Sequence, residues 1–228
     1  MKKIITILAT LMLTTMSINF AKAEGFAVGV TGAYNMIKAD GTETEGTAAD
    51  TSTRTKSVDN DVFTGSVFGE YSFANVSYAN SGVTFGVRYT PGSADVSDKV
   101  FTRTDAASPV VADGDNGTYK AQAQVENYIN YYLDIPLFSS VYVKAGWAQI
   151  DVKTQESATS TTIGSYGDAT LDGINYGLGV KGEDGNIIWK LAYEVTNFDT
   201  LNLTSSTSNK IKADLDTSEV NLSVGYKF

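Results

Sequence analysis

Apolar and polar residues alternate along the chain over stretches longer than the strands usual in soluble proteins. In VNLSVGYKF, residues 220–228, every second residue is apolar and the residues between are small or polar. A period of two indicates a β-strand with one apolar face and one polar face. The length of most of these stretches is close to that of a tilted transmembrane strand, which needs about 9–11 residues. The pattern predicts eight strands, at 25–36, 62–73, 82–90, 118–135, 140–152, 172–181, 187–196 and 216–228.

The connections between these predicted strands alternate in length. Those after the second, fourth and sixth strands are short, and the last of them contains Asp184-Gly185, a hairpin-turn signal. The other connections are long, so that all the long loops lie at one end of a meander. Short turns at one end and long loops at the other are typical of outer-membrane barrels.

The two faces of the predicted strands differ in charge. One face carries no charged residue, and it includes Ala123 and Val125 of the fourth strand. A Lys or Arg that faces lipid at mid-depth costs about 2–4 kcal/mol, so the charged face is expected to line the interior. There the charges are predicted to form an ion network that fills the lumen, with Glu70–Arg88 as the first candidate pair. The inward set is Glu70, Arg88, Lys120, Glu126, Asp134, Lys144, Lys181, Lys190, Glu194, Glu219 and Lys227.

The fifth predicted strand departs from this pattern beyond Trp147, because Ile150 and Val152 take the opposite parity. The change of parity predicts a bulge within that strand.

Alternation alone also fits a soluble carrier barrel, whose apolar face would surround a ligand. The aromatic residues favour the membrane barrel, because they cluster near both strand ends like two interfacial girdles. These residues are Phe26, Phe73, Tyr131, Trp189, Tyr226 and Phe228 at the turn end, and Tyr34, Phe63, Tyr89, Tyr119 and Trp147 towards the loop end.

The first 23 residues have the features of a secretory signal peptide. Lys2 and Lys3 precede an apolar run over 4–13, and Ala21-Lys22-Ala23 forms a small-residue cleavage site. The run is shorter than the ~20 residues that a transmembrane helix needs. Cleavage is therefore predicted between Ala23 and Glu24, which gives a signal peptide over 1–23 and a barrel domain over 24–228.

The end of the chain carries a second signal. Its alternating Leu222, Val224, Tyr226 and Phe228 resemble the C-terminal motif by which bacterial outer-membrane barrels are recognised for insertion. With the leader, the loops and the eight strands, the chain resembles the small eight-stranded outer-membrane proteins, such as the barrel of outer-membrane protein A and the opacity and attachment-invasion proteins.

That resemblance implies an all-β, eight-stranded antiparallel up-and-down transmembrane β-barrel in the Gram-negative outer membrane. Both termini would be periplasmic. Because the sequence ends with the last predicted strand, no peptidoglycan-binding domain is expected to follow the barrel. The implied partners are outer-membrane lipid, lipopolysaccharide and, during insertion, the barrel-assembly machinery. Because an open edge cannot sit in lipid, the last strand is expected to pair with the first.

Composition narrows the function. The chain contains no His and no Cys, which excludes Ser-His-acid catalysis and His or Cys metal sites. We predict a protein that is not an enzyme and holds no cofactor and no metal. The formal net charge is −9, whereas nucleic-acid binders present basic patches, so no nucleic-acid partner is expected.

The long loops are acidic and rich in Thr, Ser and Gly. The predicted role is therefore structural or a surface interaction made by loops on a rigid, filled barrel, with divalent cations bridging loop carboxylates to lipopolysaccharide phosphates as one hypothesis. A narrow porin that passes ions or small solutes is the first alternative, and a secreted carrier of apolar ligands is the second.

Overall fold

A computed structural model of the chain describes residues 25–47, 50–76, 81–105, 117–138, 140–158, 165–206 and 208–228. No helix within these ranges is long and apolar enough to cross a membrane. The predicted cleavage site at Ala23 and Glu24 lies outside the described residues. The strands are β1 (Phe26–Thr47), β2 (Asp50–Val76), β3 (Ser81–Asp95), β4 (Phe101–Asp105), β5 (Gly117–Pro136), β6 (Val141–Ala158), β7 (Ala169–Asp184), β8 (Ile187–Phe198), β9 (Leu201–Thr204) and β10 (Lys210–Lys227).

Eight of the strands close into a barrel. Their order is β1-β2-β3-β5-β6-β7-β8-β10, each pair antiparallel, and β10 returns to pair with β1 from Ala27↔Lys227 to Thr44↔Lys210. The short strands β4 and β9 add to β5 and β10. The predicted fold class, an eight-stranded antiparallel up-and-down barrel, is confirmed, and closure removes the edges that lipid does not tolerate.

The strands continue well beyond the ranges that alternation predicts. β1 and β2 pair without interruption from Phe26↔Tyr71 to Thr47↔Asp50, so most of the first predicted loop is a hairpin extension. Its Thr residues favour extended backbone. Ile37, Ala39 and Val58 still face the interior, but beyond them both faces of this extension are polar, which is why a search for apolar alternation stops short of it.

A bulge was predicted in the fifth predicted strand, 140–152, which is β6 of the structure. The structure places the bulge in the neighbouring strand β5 instead. β6 alternates regularly, with Trp147 outward and Ile150 and Val152 buried. In β5 the pairing shifts between Glu126 and Ile129, and Asn127 adopts a φ of 54°. The inserted residue reverses the parity of the strand before it.

This reversal corrects two sequence assignments. Val125 is buried and Ala123 packs against the same interior cluster, although both were predicted to face outward. Conversely, Lys120 is exposed, although its original parity would have placed it in the lumen.

The barrel interior also contains an apolar layer that the charge pattern does not predict. On each strand that carries both, these apolar residues lie on the loop side of the inward charges. This apolar layer consists of Ile37, Val96, Val125, Ala148, Ile150, Val152, Leu171, Phe198, Leu201 and Leu215. The lumen therefore contains charged side chains at its centre and apolar side chains towards the loops.

Candidate functional site: an ion cluster across the lumen

Seven charged side chains from six strands meet at the centre of the barrel. Each is at most 9% exposed, because inward registers from all sides of a narrow barrel converge on one small volume. This ion cluster consists of Glu70 on β2, Arg88 on β3, Asp134 on β5, Lys144 on β6, Lys190 and Glu194 on β8, and Glu219 on β10.

One half of the ion cluster is organised by Arg88. Its Nη2 lies 3.2 Å from Glu194 Oε2 and 2.6 Å from Glu219 Oε1. Lys144 Nζ approaches Glu194 Oε1 at 2.9 Å. Asn221 donates to both carboxylates, at 2.8 Å to Glu194 and 2.7 Å to Glu219. Glu194 is thus held by two cations and an amide with no exposure to solvent.

The other half is organised by Lys190. Its Nζ donates to Glu70 Oε2 at 2.5 Å and to Asp134 Oδ2 at 2.8 Å. The Tyr132 hydroxyl donates to Glu70 at 2.8 Å. Lys144 Nζ lies 3.8 Å from Asp134 Oδ1 and 3.9 Å from the centre of the Tyr132 ring, and so links the two halves.

The ion cluster holds four carboxylates and three cations, so it retains one negative charge. Burial of ions is costly unless each one is paired and hydrogen-bonded, and here every member has at least one partner of opposite charge. The side chains leave a cavity of about 10 Å³ between Arg88, Tyr132, Lys144 and Lys190. That is about the space of one water molecule.

Not every predicted inward charge joins the ion cluster. The bulge leaves Lys120 on the exposed part of β5 and places Glu126 opposite the exposed Ser93. Lys181 lies towards the turns, opposite Lys190 on β8, and has no ion pair among the described residues. Lys227 pairs with Glu183 at 3.1 Å at the turn end.

The predicted Glu70–Arg88 pair is wrong. Neighbouring strands set Phe68 opposite Arg88 and Gly86 opposite Glu70. Both charges instead find partners on β8, across the lumen. A barrel of eight strands is narrow enough for opposite walls to make contact, and strand adjacency therefore does not identify ion pairs.

Sequence reasoning missed the neutral residues that complete the ion cluster. Tyr132 and Asn221 have the same inward parity as Asp134 and Glu219, and this shared parity is the signal that could have found them. A second signal is Gly86, which faces Tyr132 across the ladder. A Cβ at Gly86 would overlap the Tyr132 ring, so the glycine creates the space in which the ring lies over the strand.

Outside the barrel centre, a few polar contacts connect the loop-side ends of the strands. Lys153 Nζ lies 2.7 Å from Asp168 Oδ2, and its hydrogen bond holds the pKa of the Asp168 carboxyl below the usual range. Tyr166 donates its hydroxyl to Glu43 at 2.9 Å and its backbone N–H to Glu156 at 3.0 Å. Partial burial, with a smaller effect of the Glu43 charge, raises the pKa of Glu156.

No metal site accompanies these contacts: within the described residues, no group of three or more His, Cys, Asp or Glu could hold a metal ion.

Comparison with known proteins gives one family match. The model of a family described as "Outer membrane protein beta-barrel domain" matches residues 6–228. No curated protein matches the chain significantly.

Among solved structures, Neisserial surface protein A is 15% identical, with 90% of this chain and 97% of that chain covered and a TM-score of 0.38. OprG from Pseudomonas aeruginosa is 11% identical, with 90% and 98% covered and a TM-score of 0.43. The outer membrane protease OmpT from Escherichia coli is 6% identical, with 94% and 100% covered and a TM-score of 0.46.

Proposed function

Because the chain belongs to the outer membrane protein beta-barrel domain family, we propose that it is a non-enzymatic outer-membrane protein whose closed barrel supports a role at the membrane surface. The observation that carries this proposal is the ion cluster. An ion that crossed the lumen would have to separate buried pairs such as Arg88–Glu219 and Lys190–Asp134, and would then meet the apolar layer.

The chemistry of the chain supports the non-enzymatic part of the proposal. Without His or Cys, it lacks the usual general base and thiol nucleophile. The acids of the ion cluster are each engaged by cations, which suits structural ion pairs better than a carboxylate pair open to substrate. We propose that neither a cofactor nor a nucleic acid takes part.

The surface role would belong to the loop side. There the hairpin of β1 and β2 continues to Thr47 and Asp50, well past the outward aromatic residues Tyr34 and Phe63. With the chain termini in the periplasm, this hairpin and the acidic loops would face lipopolysaccharide or a surface partner. Insertion would use the barrel-assembly machinery, which would read Leu222, Val224, Tyr226 and Phe228.

Conductance across a planar lipid bilayer tests the closed lumen. The chain purified from outer membranes is expected to give no single-channel steps. Lys190→Ala combined with Tyr132→Ala removes a cation and a ring from the centre, and is expected to produce steps. Lys153→Ala, which removes a partly exposed cation outside the ion cluster, is the matched control and is expected to stay silent. Reproducible steps from the unchanged chain would refute the closed lumen and favour the narrow porin.

A separate measurement tests the surface role. If divalent cations bridge the loop carboxylates to lipopolysaccharide phosphates, a chelator should weaken the association of the reconstituted barrel with lipopolysaccharide. Association that is unchanged by chelator would contradict cation bridging, whatever the conductance result.

A further inference from the structure

The barrel wall has a gap between β2 and β3. Their ladder ends at Val67↔Tyr89. Further towards the loops, and among the described residues, β2 pairs only with β1 and β3 pairs only with β5. By contrast, β1 and β10 keep their ladder to Thr44↔Lys210, and β5 and β6 keep theirs to Tyr119↔Ala158.

Two side-chain hydrogen bonds bracket the gap. Ser66 and Thr90 join their hydroxyls at 2.7 Å on the turn side, and Asn60 Nδ2 donates to the Asp95 carbonyl at 2.7 Å on the loop side. Between these two contacts lie residues 61–65 of β2 and residues 91–94 of β3. We call this opening the β2–β3 gap.

The local sequence explains why the ladder fails there. Pro91 has no backbone N–H to donate. Gly92 has a φ of 95°, and the pairing of β3 with β5 shifts between Thr90 and Ser93. This irregularity bends β3 away from the straight path that a continuous ladder with β2 would require.

A cavity of about 80 Å³ lies behind the β2–β3 gap. At about 10–15 Å³ for each water, this is room for roughly six small atoms or groups. Its lining shares Val62, Thr64 and Ala94 with the gap itself. The apolar part of the lining belongs to the apolar layer or borders it: Ile37, Val125, Tyr128 and Ile150. The lining also contains polar residues, among them Asn35, Thr217 and Glu219 of the ion cluster.

The gap faces the outer apolar surface and lies near its loop-side edge. Phe63 points outward beside it and is 83% exposed, and Tyr89 ends the ladder just below. Among the polar residues of the lining, Glu126 lies opposite the exposed Ser93 and contributes to the rim of the cavity. Unpaired backbone groups at membrane depth are tolerated where they border such a cavity.

We propose that the β2–β3 gap admits a short aliphatic chain from the bilayer and that the cavity behind it is its binding site. The aliphatic walls suit a chain of about six carbons, since burial of apolar surface drives such binding. The acidic rim favours a neutral or cationic head group. Because the ion cluster closes the lumen below, the site is a pocket with lateral access.

Nuclear Overhauser contacts to isoleucine methyl groups provide the test. The chain is labelled at these methyls, extracted from outer membranes and reconstituted in bilayers of deuterated lipid with protonated hexan-1-ol. Ile37 and Ile150 line the cavity, whereas Ile174 and Ile187 are exposed on the outer surface. Contacts to the cavity pair should saturate with alcohol concentration, whereas contacts to the outer pair should keep rising with it.

A second arm, with protonated lipid and deuterated alcohol, separates the two sources of an aliphatic chain. Saturable contacts from the alcohol would identify a free solute, and contacts from lipid chain ends would identify a bilayer acyl chain. Either result supports the pocket. If neither the alcohol nor the lipid gives contacts to Ile37 and Ile150, the proposal is overturned.

Two substitutions sharpen the result. Ala94→Phe fills the cavity and should abolish the contacts to Ile37 and Ile150. Ala145→Phe adds the same ring on the exposed outer face of β6 and should leave those contacts intact. Contacts that survive Ala94→Phe would also overturn the proposal.

Discussion

Lys190→Met is the most informative single change to the ion cluster. Methionine keeps an unbranched side chain of similar length, so the packing of the stem changes little. The charge disappears, and with it both contacts of Nζ, to Glu70 at 2.5 Å and to Asp134 at 2.8 Å. Glu70 retains the Tyr132 hydroxyl, and Asp134 retains, among the charged groups of the described residues, only Lys144 at 3.8 Å.

The expected cost follows from burial. Lys190 and Glu70 are at most 5% exposed and Asp134 is fully buried, so water cannot replace the lost cation. Removing one partner of a buried ion pair costs about 3–5 kcal/mol. Two cations would then face four carboxylates. At about 1.4 kcal/mol for each factor of ten, the folded-to-unfolded ratio should fall by roughly 10²–10³ or more.

Equilibrium unfolding in urea, with the chain in lipid vesicles, measures this loss. Trp147 and Trp189 are 40% and 43% exposed on the outer face, so their fluorescence reports transfer from lipid to water. The matched control is Lys153→Met, which breaks a solvent-exposed pair with Asp168 and should change stability little, because exposed pairs contribute little.

A second substitution separates lost charge from lost packing. Lys190→Met combined with Glu70→Gln removes one orphaned carboxylate and should be more stable than Lys190→Met alone, by about 1 kcal/mol or more. If Lys190→Met unfolds at the same urea concentration as Lys153→Met, the buried ion pairs of Lys190 do not stabilise the barrel. A double variant less stable than Lys190→Met would show that Glu70 is not left as an unpaired buried charge.

Three further predictions concern the backbone and the surface. Gly29→Ala would drive a Cβ into the Val224 carbonyl oxygen and to 2.6 Å from Gly225 Cα, where β10 pairs with β1, whereas Gly32 has open space around it. Urea midpoints should therefore show a loss of about 1–3 kcal/mol for Gly29→Ala and almost none for Gly32→Ala, and equal midpoints would contradict the close packing of β1 on β10. At the bulge, Asn127→Val should cost about 1–3 kcal/mol more than Asn127→Gly, because both lose the amide but only valine resists a φ of 54°; thermal unfolding of the two variants decides this. By carboxyl NMR titration, Asp168 should ionise below its usual pH range, so that its contact favours the fold above that range and is lost as the pH falls through the lowered pKa; Lys153→Met should raise this pKa, and an unchanged pKa would show that the contact is absent in solution.

The residues that alternate most strictly are the ones whose placement the sequence determined. Lipid penalises any charge on the outward face, so the parity of Leu191, Tyr193 and Val220 assigns the exterior, and the parity of Glu194 and Glu219 assigns the interior. The eight strands and the closure of β10 on β1 follow from the same constraint, since lipid tolerates no open edge. The polar extension of β1 and β2 escaped this reasoning because no lipid constrains it.

Only the tertiary structure decided which charges meet and where the wall opens. Period two reports the two faces of one strand, whereas the partner of Arg88 depends on which residues the closed barrel brings across the lumen from β8 and β10. The bulge at Asn127 exchanges the two faces of β5, and one inserted residue therefore moved Lys120 out and Val125 in. The β2–β3 gap arises because Pro91 and Gly92 interrupt pairing with a strand that lies beside them only after folding.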